Sequence, residues 1–233
     1  MYYGGKRIFP LIPKYCISYY VEIIMARVAP FEDHMERYED WFVKNEFAYQ
    51  SELNAVKALL PACGKGVEVG VGTGLFAAPL CIRFGLDPSM KMLVQAGKRG
   101  VLAVKGVGEE LPFTADVFDF VLMVTTVCFL DNVLQAFCEV KRVLRPCGAF
   151  LVGFIDRESV VGRQYLKYKD QSIFYRMADF YSVDDVTGFM REAGFSNFSF
   201  VQTIFHTLSE IRATESVKKG FGQGSFVVVK AHK

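Results

Sequence analysis

Three glycines alternate with other residues in Glu68-Val69-Gly70-Val71-Gly72-Thr73-Gly74, directly after an apolar run that opens at Val67. Glycine lets a chain turn sharply at the carboxyl end of a strand and brings no Cβ between backbone and ligand. The pattern is G-x-G-x-G, whereas a dinucleotide fingerprint needs glycine or alanine where Leu75 stands. Further on, Gly85-Leu86-Asp87-Pro88-Ser89 closes a second apolar run with a carboxylate. An acid there can accept hydrogen bonds from both hydroxyls of a ribose, or cap the helix that follows. Thr125 and Thr126 follow a later apolar run, where the crevice of an open α/β sheet would turn a hydroxyl toward a ligand. Threonine is equally at home inside a strand.

These groups need elements to hold them. From Val67 to Lys233, short apolar runs alternate with helical periodicity, which predicts a parallel sheet flanked by helices. Val67 to Val71, Ile82 to Leu86, Val101 to Lys105 and Phe118 to Val124 read as central, buried strands. Asp131 is placed to cap a helix carrying Val133, Phe137, Val140 and Leu144, which Pro146 and Gly148 stop, and Ala149 to Phe154 follows as a fifth strand. Ser182 and Asp185 have capping-box spacing before a helix with Val186, Phe189, Met190 and Ala193. Phe198 to Phe205 and Ser225 to Ala231 have no long helix between them, so they are expected to pair antiparallel at one sheet edge, the last two of seven strands. Ahead of the sheet, Tyr49, Leu53, Val56 and Leu60 form an amphipathic stripe that ends at Pro61.

The 233 residues suit one α/β domain, and 52% hydrophobic with 15% aromatic residues points to a compact enzyme rather than a disordered chain. A net charge of +2 without a long basic block argues against a nucleic-acid partner. Cys16, Cys63, Cys81, Cys128, Cys138 and Cys147 include no C-x-x-C pair, and most lie in or beside apolar runs, so buried free thiols in a reducing, cytoplasmic compartment are expected. The three histidines, His34, His206 and His232, lack metal-ligand spacing, and no metal is expected. Ile8 to Met25 superficially resembles a signal peptide, but Pro10, Pro13, Lys14 and Glu22 interrupt it, and no integral membrane association is expected.

Glu68 to Gly74, Gly85 to Ser89, Gly108-Glu109-Glu110-Leu111-Pro112-Phe113, Phe118-Asp119 and Arg142-Val143-Leu144-Arg145-Pro146 resemble, in order, the motifs of class I S-adenosylmethionine-dependent methyltransferases. They most resemble the methyltransferase type 11 family, which acts mainly on small molecules and lipids. The similarity runs from Phe31 to Lys233, since Phe31, Tyr38, Trp41 and Phe42 are similar to that family's N-terminal lid pattern. The fold this implies is a Rossmann-like seven-stranded sheet, mostly parallel with an antiparallel last strand and helices on both faces. The implied division is an extension over 1–30, a lid and helix over 31–61, a cofactor-binding core over 66–155, a substrate-facing insertion over 156–181, and a helix and strands over 182–233.

By the same resemblance S-adenosylmethionine is the cofactor, with Gly70, Gly72 and Gly74 bordering its methionine part. Glu68 would steady the loop or reach the amino group through water, Asp87 would hold the ribose, and Met90 or Ser89 would flank the adenine. Gly108 and Glu109 would border the adenine's polar edge, and Thr125 would face the cofactor or acceptor. The family usually has Asp where Val107 stands, leaving a backbone carbonyl or Glu109 to receive the exocyclic amine.

A sulfonium methyl is already activated, so positioning and exclusion of water supply most of the catalysis. A base is needed only for an acceptor that arrives protonated, and His34, Glu52 and Tyr175 are the helpers in view, each with an ordinary packing or surface role as alternative. Tyr38, Trp41 and Tyr175 are the residues expected at the acceptor, a small molecule. Pro146-Cys147 resembles the nucleophile pair of cytosine methyltransferases but falls after a helix instead of after the fourth strand, so Cys147 is not read as catalytic. The alternatives are a noncatalytic S-adenosylmethionine-binding regulator and, disfavoured by Leu75, a nicotinamide-dependent oxidoreductase.

Overall fold

The structure, a computed structural model, describes residues 27–233. The reading of Ile8 to Met25 lies outside the described residues. Residues 27–33 are helical, followed by α1 (Met35–Lys44) and α2 (Glu46–Leu59). Then come β1 (Gly66–Val69), β2 (Phe84–Asp87), α3 (Met90–Lys98), β3 (Leu102–Lys105), β4 (Phe118–Val124), α4 (Val133–Val143) and β5 (Leu144–Ile155). The chain ends with α5 (Val160–Tyr168), α6 (Val183–Glu192), β6 (Ser196–Thr203), β7 (Lys218–Lys219) and β8 (Phe226–His232).

One sheet runs β3-β2-β1-β4-β5-β8-β6-β7, parallel from β3 through β5 and antiparallel where β8 joins β5 and β6. The eighth strand, beyond the seven expected, is the two-residue β7 on the outer edge of β6. The period of two along the strands divides the core between two faces. Val121 and Met123 of β4 pack with Phe150 and Val152 of β5 and with Phe137 and Met190 from α4 and α6. Phe120 and Leu122 point the other way, toward Val56 of α2 and Leu93 and Ala96 of α3.

Several boundaries differ from the sequence reading for local physical reasons. β1 ends at Val69, short of Val71, because Gly70 takes φ 74 and turns the chain. β3 is an edge strand with Leu102 52% and Val104 42% exposed, so its apolar run is not a central, buried one. The cap of α4 is Asn132, whose side chain accepts from Gln135 N at 3.0 Å; Asp131 pairs instead with Arg27 at 3.0 Å. The capping box of α6 is present, with Asp185 N donating to Ser182 Oγ at 3.1 Å and Ser182 N to Asp185 Oδ2 at 2.8 Å. Among the described cysteines all five are free and only Cys128 is buried, contrary to the expectation of buried thiols. Among the described residues no helix is long and apolar enough to cross a membrane.

Candidate functional site

The chain runs from β1 out to β2 and β3 on one side, then returns to β4 and β5 on the other. Where two neighbouring parallel strands feed opposite halves of a sheet, their following loops part and leave a crevice at the carboxyl edge. Gly70 after β1 and Thr126 after β4 face each other there, and a Cβ on Gly70 would stand 2.2 Å from Thr126 Oγ1. With φ 74 as well, this position admits only glycine without strain. The crevice opens into a cavity of about 540 Å³, within the range of small-molecule sites.

One wall is built by the ends of β1 and β2. Asp87, 8% exposed, accepts Gly72 N on Oδ2 and Ser89 N on Oδ1, each at 2.9 Å. A carboxylate has about four lone-pair sites, so each oxygen keeps one for a ligand hydroxyl. Burial pushes Asp87 up to about 6, opposed by those two amide bonds. The cap of α3 is Ser89, which accepts from Met92 N at 3.2 Å, so Asp87 is not spent on capping. Glu68 is buried beneath the glycine loop, its Oε2 without a hydrogen-bond partner, and burial holds its carboxyl well above the usual range. The wall continues through Pro88, Ser89 and Met92 to Val107, Gly108 and Glu109. Glu109 Oε1 accepts Asp131 N at 2.8 Å and Asn132 N at 3.2 Å at the start of α4.

The opposite wall is aromatic and comes from three places in the chain. Phe31, Tyr38, Trp41 and Phe42 line it from the helical N-terminal segments, Phe129 from the turn after β4, and Tyr165, Phe174 and Tyr175 from the insertion. Phe31 meets Phe129 edge-on at 5.1 Å and Phe174 at 5.3 Å, and Tyr165 stacks on Tyr175 at 5.0 Å. Arg99 holds α1 over the loop, pairing with Glu39 at 2.5 Å and donating to Thr73 O at 2.8 Å. Glu52 and Thr125 also border the cavity.

The cavity thus gathers Glu68, Gly70, Gly72, Asp87, Ser89, Gly108, Glu109, Thr125, Tyr38, Trp41 and Tyr175, which the sequence reading singled out. Three of its residues stand elsewhere. A Cβ on Gly74 would meet Ala96 Cα at 3.3 Å, so Gly74 brings the loop against α3 instead of facing the cavity. Met90 is half exposed and its N–H donates to Glu32, while Met92 takes the cavity position. His34 is exposed and does not border the site. Cys147 is exposed in β5, away from the cavity.

The family model described as a methyltransferase domain matches residues 67–152, the span that carries this wall. An uncharacterized protein of Methanocaldococcus jannaschii is 41% identical over 203 residues, covering 87% of this chain and 98% of its own length. A solved SAM-dependent methyltransferase of Thermotoga maritima, called a possible histamine N-methyltransferase, is 49% identical with a TM-score of 0.87, covering 88% of this chain and 99% of that one. The chain belongs to the SAM-dependent methyltransferases. A demethylmenaquinone methyltransferase of Roseiflexus sp. is more distant, 28% identical over 137 residues, 54% of this chain and 56% of its own length.

Membership in this methyltransferase family implies S-adenosylmethionine binding, and the residues that line the cavity fit that cofactor. Gly70 and Gly72 line the cavity, and Asp87 has an open lone pair on each oxygen for a diol. Glu68 borders the same cavity with its Oε2 unpartnered. The methyltransferase wall also holds positions that motif reading passed over. Met92, Leu130 and Phe129 reach the cavity through helix and turn geometry that no short motif encodes.

Proposed function

We propose that this protein is a cytoplasmic methyltransferase that seats S-adenosylmethionine across the β1/β4 crevice and methylates a small-molecule acceptor held under the aromatic wall. The observation that carries the reading is Asp87, buried at the cavity with each oxygen fixed by one backbone amide and one lone pair left over. When bound, the cofactor supplies a methyl group already activated on a sulfonium.

Asp87 takes the two ribose hydroxyls, and Gly70 and Gly72 let the backbone approach the methionine part, with Gly74 acting from behind by packing the loop on α3. Glu68 lies nearest the charged end. Ser89 holds α3, which presents Met92 to the adenine, with Met90 acting only through that helix. Because Val107 has no side-chain acceptor, Glu109 serves the adenine amine through Oε2, its Oε1 being engaged by Asp131 and Asn132. Gly108 and Thr125 border the same space. Tyr38, Trp41 and Tyr175 enclose the acceptor and keep water from it. The division into lid and helix over 31–61, core over 66–155, insertion over 156–181 and C-terminal part over 182–233 follows from these roles. Free cysteines throughout the described residues suit a reducing compartment.

Calorimetry with S-adenosylhomocysteine and with NADH tests the cofactor, and a labelled-methyl screen over cell-extract metabolites tests turnover. Binding of S-adenosylhomocysteine with labelled product supports the reading. Binding of NADH alone overturns it, and cofactor binding without any labelled product makes the protein a regulator.

A further inference from the structure

The buried face of α2 is Ala48, Ser51, Glu52, Ala55 and Val56, the spacing of a core stripe, and a carboxyl stands in the middle of it. Glu52 is only 6% exposed, and what is exposed borders the cavity. Among the described residues nothing hydrogen-bonds its carboxyl, and burial alone pushes it up to about 8. A buried, unpartnered carboxyl is costly, and such groups gather where a ligand supplies the partner. Three phenols line the same cavity as Glu52, Tyr38 of α1, Tyr165 of α5 and Tyr175 of the insertion, and Tyr49 lies on α2 itself. The charge of Glu52 raises the proton affinity of each of the four.

One carboxyl among aromatic rings suits a cation: ring faces attract an ammonium, and a carboxylate accepts its N–H bonds. We propose that the acceptor is an amine and that Glu52 is the catalytic residue that receives it, an assignment that rests on the methyltransferase reading above. The entering ammonium gives one proton to the Glu52 carboxylate, leaving a neutral amine and a carboxylic acid. The nitrogen lone pair then forms the new C–N bond as the S–CH3 bond breaks, and that electron pair stays on sulfur as a thioether. The product leaves as the methylated ammonium, and Glu52 returns its proton to water. With the Glu52 carboxyl raised to about 8 by burial, its ionised fraction, and with it proton uptake from the amine, grows as the pH rises toward 8.

The test is calorimetry on the full chain loaded with S-adenosylhomocysteine, titrated with phenethylamine, phenethyl alcohol and phenylacetate, which share one ring and differ in charge. The amine is expected to bind at least about tenfold tighter than the other two. Glu52→Gln is expected to abolish that preference while S-adenosylhomocysteine affinity stays within about twofold. Glu52→Asp, which keeps the charge but withdraws it, should fall between. Equal binding of amine and alcohol to the wild-type protein overturns the proposal without any variant, as does a preference that survives Glu52→Gln. Failure of S-adenosylhomocysteine to bind the wild-type protein overturns the cofactor reading and this one together; cofactor binding without amine preference overturns this one alone.

Discussion

The backbone N–H of Gly72 donates to Asp87 Oδ2 at 2.9 Å, which ties the loop after β1 to the end of β2. The glycine loop is therefore shaped in part by a bond within the protein itself. The same carboxylate that shapes it remains open to a diol, so loop geometry and ligand binding hang on one side chain.

Asp87→Ala should remove most of the stabilisation that S-adenosylhomocysteine gives. At ligand near 100 times its dissociation constant that stabilisation is about 2.7 kcal/mol. For a chain of this size it corresponds to a rise of roughly 5 to 10 °C in Tm. Differential scanning fluorimetry on both proteins measures it; an equal rise in wild type and variant would take Asp87 out of the site.

Cofactor affinity should depend on pH through Asp87. In the free protein burial raises this group to about 6, and hydroxyl donors favour its charged form, so binding lowers the pKa and releases a proton. Affinity is then full above about 6 and falls as pH drops below it, by up to about tenfold per unit. Calorimetric Kd values between pH 5 and 8 would show the break, and a flat profile contradicts it.

Glu52 should cost stability as pH rises. Its folded-state pKa of about 8 lies above the ordinary 4.5, so the folded protein is not penalised below 4.5, and the penalty grows until the pH passes 8. Glu52→Gln should match wild-type stability in acid and exceed it increasingly above, by at most about 1.4 kcal/mol per pH unit. Urea melts of both proteins at a series of pH values read the margin; one that narrows with rising pH reverses the sign of the argument.

Two glycine substitutions should diverge. Gly70→Ala meets φ 74 and Thr126 Oγ1 at 2.2 Å, so it should lower Tm and abolish S-adenosylhomocysteine binding. Gly188→Ala lies on an exposed stretch of α6 with open space around the added Cβ, and should stabilise by about 0.5 to 1 kcal/mol with binding unchanged. Thermal melts with and without ligand distinguish the pair.

Trp41 should report ligand. It is half-buried at the cavity wall, with its ring edge-on to Phe42 at 5.0 Å, so filling the cavity changes its surroundings. Titration with S-adenosylhomocysteine should shift or quench its emission, and Asp87→Ala should move the transition to higher ligand. Constant emission while calorimetry shows saturation would place the ring away from the closing surface.

The sheet and its glycine loop were legible in the residue order because their causes are local. Strand runs such as Phe118 to Val124, the glycine spacing after Val69 and the Ser182–Asp185 box each follow from a few neighbouring residues. Edge and centre were not, since Val101 to Lys105 is as apolar as its neighbours and only sheet order left Leu102 and Val104 exposed. On α2 the stripe Tyr49, Leu53, Val56 and Leu60 does pack against the core, but the burial of Ser51 and Glu52 beside it was beyond reach of the periodicity. Periodicity shows that a helix has two faces, while which face is buried depends on what lies against it. The aromatic wall is a purely tertiary product, because Phe31, Phe129 and Phe174 lie far apart along the chain and meet only where a helical segment, a turn and the insertion converge on one crevice. Local sequence determined the floor of this site; the acceptor side was decided by long-range packing, where each side chain's neighbours come from elsewhere in the chain.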